Sequence, residues 1–396
     1  MSRYRRQGRA VAIKEEATDG VHSSPTLAAD ALRIENPTWD FESESEDPNE
    51  TQDGLDAGDP IPILGPVSLS GEIRIRGVAT PGTSVPEWDA AMQSMGFARA
   101  DLAADVSDTA QAGSANSITL AAGDAAAANA YAGMVIELTG GTGAGQRNIV
   151  LANDAGTKIA DVLHAWSVNP AADTTYTIFK CSVYRPASQG LKCFSARTWD
   201  KGRSTGVQSR LIQAEGMVGD GTLQLVTRRI LRITNYRLRG RLTAVPANVA
   251  DPGAATFSAG EIQPVPLVGA NVRLGDTPVQ FNTMSIGIGA QNDLPDDPAA
   301  TFGYGPGGIV TRRMTFTIDP MLELLATRDT FADWFAGTKR AFSAIWGPAV
   351  AGRRLAVACR GLLATTQRDG DNRGFTTTPI EGRCTGDDNG IYVCIF

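Results

Sequence analysis

The sequence predicts a mainly β protein with two tandem β-sandwich or barrel domains, each holding one short helix, and a small inserted β domain. Apolar and polar residues alternate in many segments, such as 72–76 and 314–318, and this period of two is typical of half-buried strands. Glycine contributes 43 of the 396 residues, well above the usual ~7%, which favours many turns. A set of landmarks also occurs twice in the same order, which indicates a duplication.

Only two helices are predicted. The first begins near Ser84 and places Trp88 and Met92 on one stripe. The second begins near Thr327 or Thr330, ends at Gly337 and places Trp334 on a similar stripe. Apolar residues at this spacing predict that both helices pack against a core.

The duplicated landmarks are a Gly-Pro pair, a strand, a Trp-bearing helix, an apolar segment with cysteine, and a Glu-Gly pair followed by a hairpin turn. They are Gly65-Pro66 and Gly305-Pro306, Trp88 and Trp334, Cys193 and Cys359, Glu215-Gly216 and Glu381-Gly382, and the turns Asp220-Gly221 and Asn389-Gly390. Asp-Gly and Asn-Gly dipeptides supply the positive φ angles that tight hairpins need. The first copy is longer between its helix and Cys193, which predicts an insertion there.

These boundaries predict five segments. They are an N-terminal arm (1–26), a discontinuous first domain (27–107 and 181–242), an inserted β module (108–180), a linker or arm (243–276) and a second domain (277–396).

Charge is distributed unevenly along the chain, whose net charge is −7. Residues 40–59 hold nine carboxylates and no Lys or Arg, whereas residues 201–241 are mainly basic. A run of like charges repels itself and predicts an exposed loop. The two runs are interpreted either as solvated faces or as complementary surfaces between copies.

Chemical motifs are scarce. The five cysteines include no C-x-x-C pair, and neither histidine, His22 or His164, has a metal-binding spacing, so reduced, packed cysteines and no metal site are predicted. The glycine-rich segment 140–146 lacks the Gly-Lys-Ser/Thr of a phosphate loop. No stretch is apolar over the ~18 residues of a membrane span. The sequence therefore predicts no enzyme activity, no catalytic residue and no cofactor.

The motifs together resemble the major tail tube proteins of tailed bacteriophages. The resemblance is carried by Val-Ala-Ile-Lys-Glu-Glu at 11–16, Pro-Glu-Trp-Asp-Ala-Ala-Met at 86–92, and the Glu-Gly pairs. Residues 131–170 are similar to a module that recurs in phage virion proteins. The resemblance covers most of the chain, but residues 278–288 lack the Lys-Glu-Glu segment and 246–276 have no clear counterpart.

The resemblance implies a virion structural protein, made in the host bacterial cytoplasm and located in the virion tail, whose stacked rings conduct DNA. A chain with two tube domains is expected to form a homotrimeric, pseudo-hexameric ring. Its expected partners are other copies of itself, the tape-measure protein and genomic DNA in the lumen without specific binding, the tail terminator, and baseplate or tail-tip proteins. A sheath is left open, and no membrane is expected. The inserted module is expected to face outward and to be dispensable for assembly.

The Arg-rich start and the acidic run are the candidate contacts between rings. These residues are Arg3, Arg5, Arg6, Arg9, Asp40, Glu42, Glu44, Glu46, Asp47, Glu50, Asp53, Asp56 and Asp59. Two alternative functions remain open. One is another virion structural part, namely a tail terminator, head–tail connector or decoration protein. The other is a glycan-binding β protein of the tail tip, although the chain offers no obvious aromatic cluster for stacking on sugars.

Overall fold

The computed structural model describes residues 4–46, 61–202, 208–257, 265–386 and 388–396. Strands dominate these ranges, in which only two short helices occur. The predicted mainly β fold is therefore confirmed. The division into two tandem domains and an inserted module stays a prediction.

The chain begins with β1 (Tyr4–Glu15), β2 (Ala31–Leu32), β3 (Glu35–Glu46), β4 (Ile61–Arg74), α1 (Asp89–Ser94) and β5 (Phe97–Leu102). The inserted region contains β6 (Val106–Thr109), β7 (Ala112–Ser114), β8 (Ser117–Thr119), β9 (Val135–Gly140), β10 (Arg147–Asn153), β11 (Ile159–Val162) and β12 (Thr175–Ile178). These seven strands form a sheet of their own. The chain then continues with β13 (Cys181–Pro186), β14 (Phe194–Gly202), β15 (Ser209–Val226) and β16 (Arg232–Val249).

The remaining elements are β17 (Asn271–Leu274), β18 (Thr277–Pro278), β19 (Phe281–Gly287), β20 (Ala290–Asp293), β21 (Gly308–Arg312), β22 (Thr315–Pro320), α2 (Thr330–Ala336), β23 (Lys339–Trp346), β24 (Leu355–Gln367), β25 (Gly370–Asn372), β26 (Phe375–Thr377), β27 (Ile380–Cys384) and β28 (Ile391–Ile395). Seventeen strands from both halves of the chain join in one large sheet. Its central part is an antiparallel run of eight strands in the order β3-β4-β16-β15-β19-β22-β27-β24.

One order of strand pairing occurs twice. In the first half the order is β1-β14-β15-β16-β4-β3, and in the second half it is β17-β23-β24-β27-β22-β19. The first strand of each set also pairs with a two-residue strand, β2 or β18. The halves therefore share a pairing pattern that predicts the same local fold in each.

The strand-pairing order and the sequence landmarks give different alignments of the two halves. The bulge at Glu215-Gly216 on β15 corresponds to the bulge near Arg360-Gly361 on β24, whereas Glu381-Gly382 lies on β27. The predicted hairpin turn at Asp220-Gly221 is wrong, because both residues lie inside β15. A Cβ atom on Gly221 would lie 2.9 Å from the Met95 sulfur, so this glycine allows α1 to approach the sheet closely.

The turn at Asn389-Gly390 does not form the predicted two-strand hairpin either. It follows β27, but β28 pairs with β24 and β13 instead of β27. The five cysteines are free and buried, as the sequence predicted.

The two helices differ in burial. Trp88, Ala91 and Met92 are buried in the main core, as predicted for α1. None of the seven residues of α2, a segment that the structure describes in full, is buried. The prediction that both helical stripes pack in a core is therefore wrong for α2, because the strands on its side leave its apolar residues uncovered.

Candidate assembly surface

The eight-strand run has one apolar and one polar face. Side chains alternate across a strand, so Leu69, Leu223 and Ile286 are buried on the core side, while Ser70 and Thr317 are on the other. We call this other side the polar face; it includes Thr38, Ser70, Arg237, Thr222, Ser285, Thr317 and Glu381. Its hydroxyl groups bond to each other across strands, for example Thr38 to Ser70 at 3.2 Å.

Charged residues on the polar face form pairs. Glu42 accepts hydrogen bonds from Arg237 at 2.8 Å and from Arg239 at 2.9 Å. Arg232 lies 3.4 Å from the Glu72 carboxylate. The acidic run and the basic run therefore meet within one chain at Glu42, because β4 holds β3 and β16 on its two sides. Pairs this exposed add little stability, but they offset the charges of Arg232, Arg237 and Arg239 on this face.

The predicted contacts between rings fall into three groups. Arg3, Asp47, Glu50, Asp53, Asp56 and Asp59 lie outside the described residues. Arg5 and Arg6 lie on β1, and Glu44 and Glu46 lie on β3. The structure places the remaining three, Arg9, Asp40 and Glu42: Asp40 is exposed, whereas Glu42 and Arg9 form ion pairs inside the chain.

Arg9 belongs to a buried charge cluster around Asp200. The Asp200 side chain is 5% exposed, and its oxygens lie 2.6 Å from Arg9 Nε and 2.7 Å from Arg210 Nη2. Burial alone would raise the pKa of Asp200, but the hydrogen bonds and charges of the two arginines outweigh it and hold the pKa below its ordinary value. Residues 9–15 are therefore an integral part of the sheet on β14.

We expect Asp200→Asn to lower the free energy of unfolding by about 2 kcal/mol near neutral pH, since it leaves the largely buried Arg9 and the partly exposed Arg210 without their carboxylate partner. Because the folded pKa is lowered, the wild-type carboxylate stabilises the fold above its unfolded pKa, and this stabilisation is lost as pH falls through the folded pKa. Urea unfolding at neutral and acid pH measures the difference, which should shrink in acid. Asp251→Asn, at an exposed partner of Lys201, is the control and should change little at either pH.

Glu16 is a site residue whose role the sequence did not reveal. Its buried carboxylate accepts hydrogen bonds from Gly216 N and Ser195 Oγ, each at 2.8 Å, and from Gly20 N at 2.7 Å. Burial raises its pKa, although these hydrogen bonds oppose the shift. Glu16 thus ties the Lys-Glu-Glu segment to the Glu215-Gly216 bulge. A buried glutamate is unusual. The residues around Glu16 resemble those of an exposed turn, so the sequence gives no sign of its burial.

In the part of the chain that the structure describes, each end of the eight-strand run has an edge without a second strand partner. Within the described ranges, β3 pairs only with β4, and residues 364–367 of β24 pair only with β27. The halves themselves are joined at the middle of the run by five residue pairs between β15 and β19, from Thr222↔Gly287 to Val226↔Thr283. An exposed edge presents unpaired N–H and C=O groups that favour pairing with another chain.

The described residues contain no group of three side chains suited to hold a metal ion. His164 is buried, and its Nε2 lies 2.8 Å from Ser343 Oγ; burial lowers its pKa to about 4. None of the helices in the described part of the chain is long and apolar enough to cross a membrane. No protein-family model matches the chain, and the search of curated proteins found no match.

Proposed function

We propose that this chain is a virion structural protein whose trimeric rings stack into the tube of a phage tail. In this proposal the protein works by assembly, without a catalytic step or a cofactor. The resemblance of its sequence motifs to major tail tube proteins suggests the function, and the arrangement of the sheet supports it independently.

The observation that carries the proposal is the junction between β15 and β19. There residues 222–226 of β15, a strand of the first half, pair with β19 of the second half. In the repeated pairing order, β24 takes the place of β15 and β3 takes the place of β19. At the level of whole strands, the outer edges of β24 and β3 at the two ends of the eight-strand run are thus the counterparts of the two edges already joined in its middle.

If the β24 edge of one copy pairs with the β3 edge of the next copy, the two copies form a head-to-tail interface. Such interfaces generate rings when the rotation closes. If the β24–β3 contact between copies repeats the β15–β19 contact within a copy, all contacts around the ring are alike. Three chains with two halves each then give pseudo-six-fold symmetry.

The polar face is the proposed lining of the channel. Hydroxyl groups lie along this face, and Glu42 offsets the charges of Arg237 and Arg239, which makes these two cations less available to phosphate groups. Because affinity for DNA grows with the number of Lys and Arg contacts, such a lining lets DNA slide. The apolar side of the eight-strand run faces the main core.

We expect native mass spectrometry of the assembled protein to give three chains per ring, and electron microscopy to show hollow rings or tubes with pseudo-six-fold projections. Six whole chains per ring, or a monomer at every concentration with and without tail-initiator proteins, would contradict the proposal. Single rings that never stack would instead favour a terminator or connector. Binding on a glycan array without ring formation would favour the tail-tip alternative.

A further inference from the structure

The segment from β22 to α2 exposes a cluster of large apolar side chains. Leu324 is 79% exposed, Leu325 68%, Phe331 57% and Phe335 85%. We call these four residues the α2 patch. Soluble monomers rarely leave so many neighbouring apolar groups uncovered, and such patches mark interaction sites.

Helix α1 of the first half corresponds to α2, and in the structure α1 is covered by a hairpin. The hairpin β20–β21 reaches from the second half onto the C-terminal end of α1, where Arg312 Nη1 donates to the carbonyl of Gly96 at 2.8 Å. A Cβ atom on Gly96 would lie 3.0 Å from Ile309 Cδ1, so the contact is close. The adjoining loop also bonds to the bulge on β15, with Gly307 N donating to Gly216 O at 2.8 Å.

This covering hairpin is an outward extension of the β19–β22 pair. Its counterpart in the first half is the outward end of β3–β4, where residues 43–46 pair with residues 61–64. We call this end the β3–β4 tip. It too exposes large apolar residues, with Phe41 at its base 39% exposed, Ile61 55% and Ile63 43%. The tip and the α2 patch are therefore two apolar surfaces at opposite ends of the same eight-strand run.

The position of α2 on its strand corresponds to the position of α1 on its strand. Helix α1 packs on β15, where Ser94 lies against Gly219, and α2 packs on the equivalent strand β24, where Trp334 Nε1 donates to Thr365 O at 3.0 Å. A neighbouring β3 on the β24 edge would bring its tip over α2, as β19 brings β20–β21 over α1.

We propose that the β3–β4 tip of one copy packs on the α2 patch of the next copy. This inference rests on the proposed ring, but it assigns a specific contact that ring formation alone does not require. The occupant of the patch is a second copy of this chain, because the fold already contains the same contact between its halves. Aromatic side chains such as Phe331 and Phe335 are typical anchors of such interfaces.

The substitution Phe335→Glu tests the contact. We expect it to weaken self-association by roughly ten- to a hundredfold, measured by sedimentation, while the unfolding transition of the monomer stays unchanged because this side chain is 85% exposed. Val245→Glu, at an exposed position on β16 outside the patch, introduces the same charge and should assemble normally. Normal assembly of the Phe335→Glu chain would overturn the inference.

A second test locates the partner. A chain with both Ile63→Cys and Phe335→Cys should form covalent dimers and trimers when assembled rings are oxidised, whereas each single variant should give no trimer. Intact rings without this cross-link would overturn the contact and leave the proposed function standing. Failure of the unaltered chain to form any ring would overturn both. Cross-linked species in a monomeric sample at low concentration would show an accidental contact and would also count against the inference.

Discussion

Deletion of residues 108–180 is expected to give a chain that aggregates or fails to fold, instead of one that assembles into thinner tubes. The inserted region does not merely project from the sheet, because its Trp166 and Tyr176 share one apolar cluster with Tyr392 and Phe396. These last two residues belong to the C-terminal end of the chain. The inserted region is thus a layer packed over strands β13, β28, β24 and β23.

The expected loss follows from what the deletion uncovers. Ile345, Tyr392 and Phe396 would be exposed, and burial of such side chains contributes about 1.5–3 kcal/mol each. The hydrogen bond between His164 and Ser343, and that from Ala165 N to Asp276 at 2.8 Å, would also disappear. A loss of roughly 5 kcal/mol or more is comparable to the whole stability of many domains.

Soluble yield and cooperative thermal unfolding measure this outcome. The matched control is Ile159→Ala, which removes a 39% exposed apolar side chain of the inserted region and should leave both unchanged. A soluble deletion chain that unfolds cooperatively and forms narrower tubes would show that the inserted region is dispensable, as the sequence alone suggests.

The strand content was predictable because alternation is a local property of the sequence. The environment of each helix was not. Trp88 of α1 and Trp334 of α2 lie on similar stripes, yet only α1 is covered, by β15 and by the hairpin that carries Arg312. Burial of a short helix depends on strands far away in the chain, and no local pattern records them.

In the candidate site, too, the sequence predicted local features and did not predict long-range contacts. Exposed acidic and basic runs were evident from composition, but their partners were not. Glu42 meets Arg237 across 195 residues of chain, because two strands happen to flank β4. The sequence predicts that Arg9 and Glu16 belong to an N-terminal arm. In the structure, Arg9 contacts Asp200 and Glu16 contacts Gly216. Long-range register determines these contacts.

The duplicated Glu-Gly pairs also show how one motif serves two physical purposes. Gly216 has φ +59, a left-handed conformation that favours glycine, and it forms a bulge. Gly382 has no such angle. It lies where β27 passes close to its neighbours, so that a Cβ atom there would lie 2.0 Å from Leu363 O and 2.7 Å from Phe316 Cε1.

We therefore expect Gly382→Val to prevent folding and Gly382→Ala to lower the free energy of unfolding by about 3 kcal/mol or more. A carbonyl oxygen of a paired strand cannot move away as a flexible side chain can, so β27 must shift and lose its register with β22 or β24. Because β27 lies inside the eight-strand run, the same change should abolish ring assembly. Urea unfolding and sedimentation of the Ala variant measure the two effects.

Gly308→Val separates this steric effect from a general intolerance of glycine replacement. Gly308 is the exposed first residue of β21, and an added Cβ atom would meet nothing within 4 Å, so a β-branched residue should be neutral or slightly stabilising there. If Gly382→Ala unfolds at the wild-type urea concentration, β22 and β24 can separate around β27 without cost. A β27 that changes register so easily would not hold the edge of β24 in one position for the β3 strand of a neighbouring copy, and the proposed closed ring would lose its physical basis.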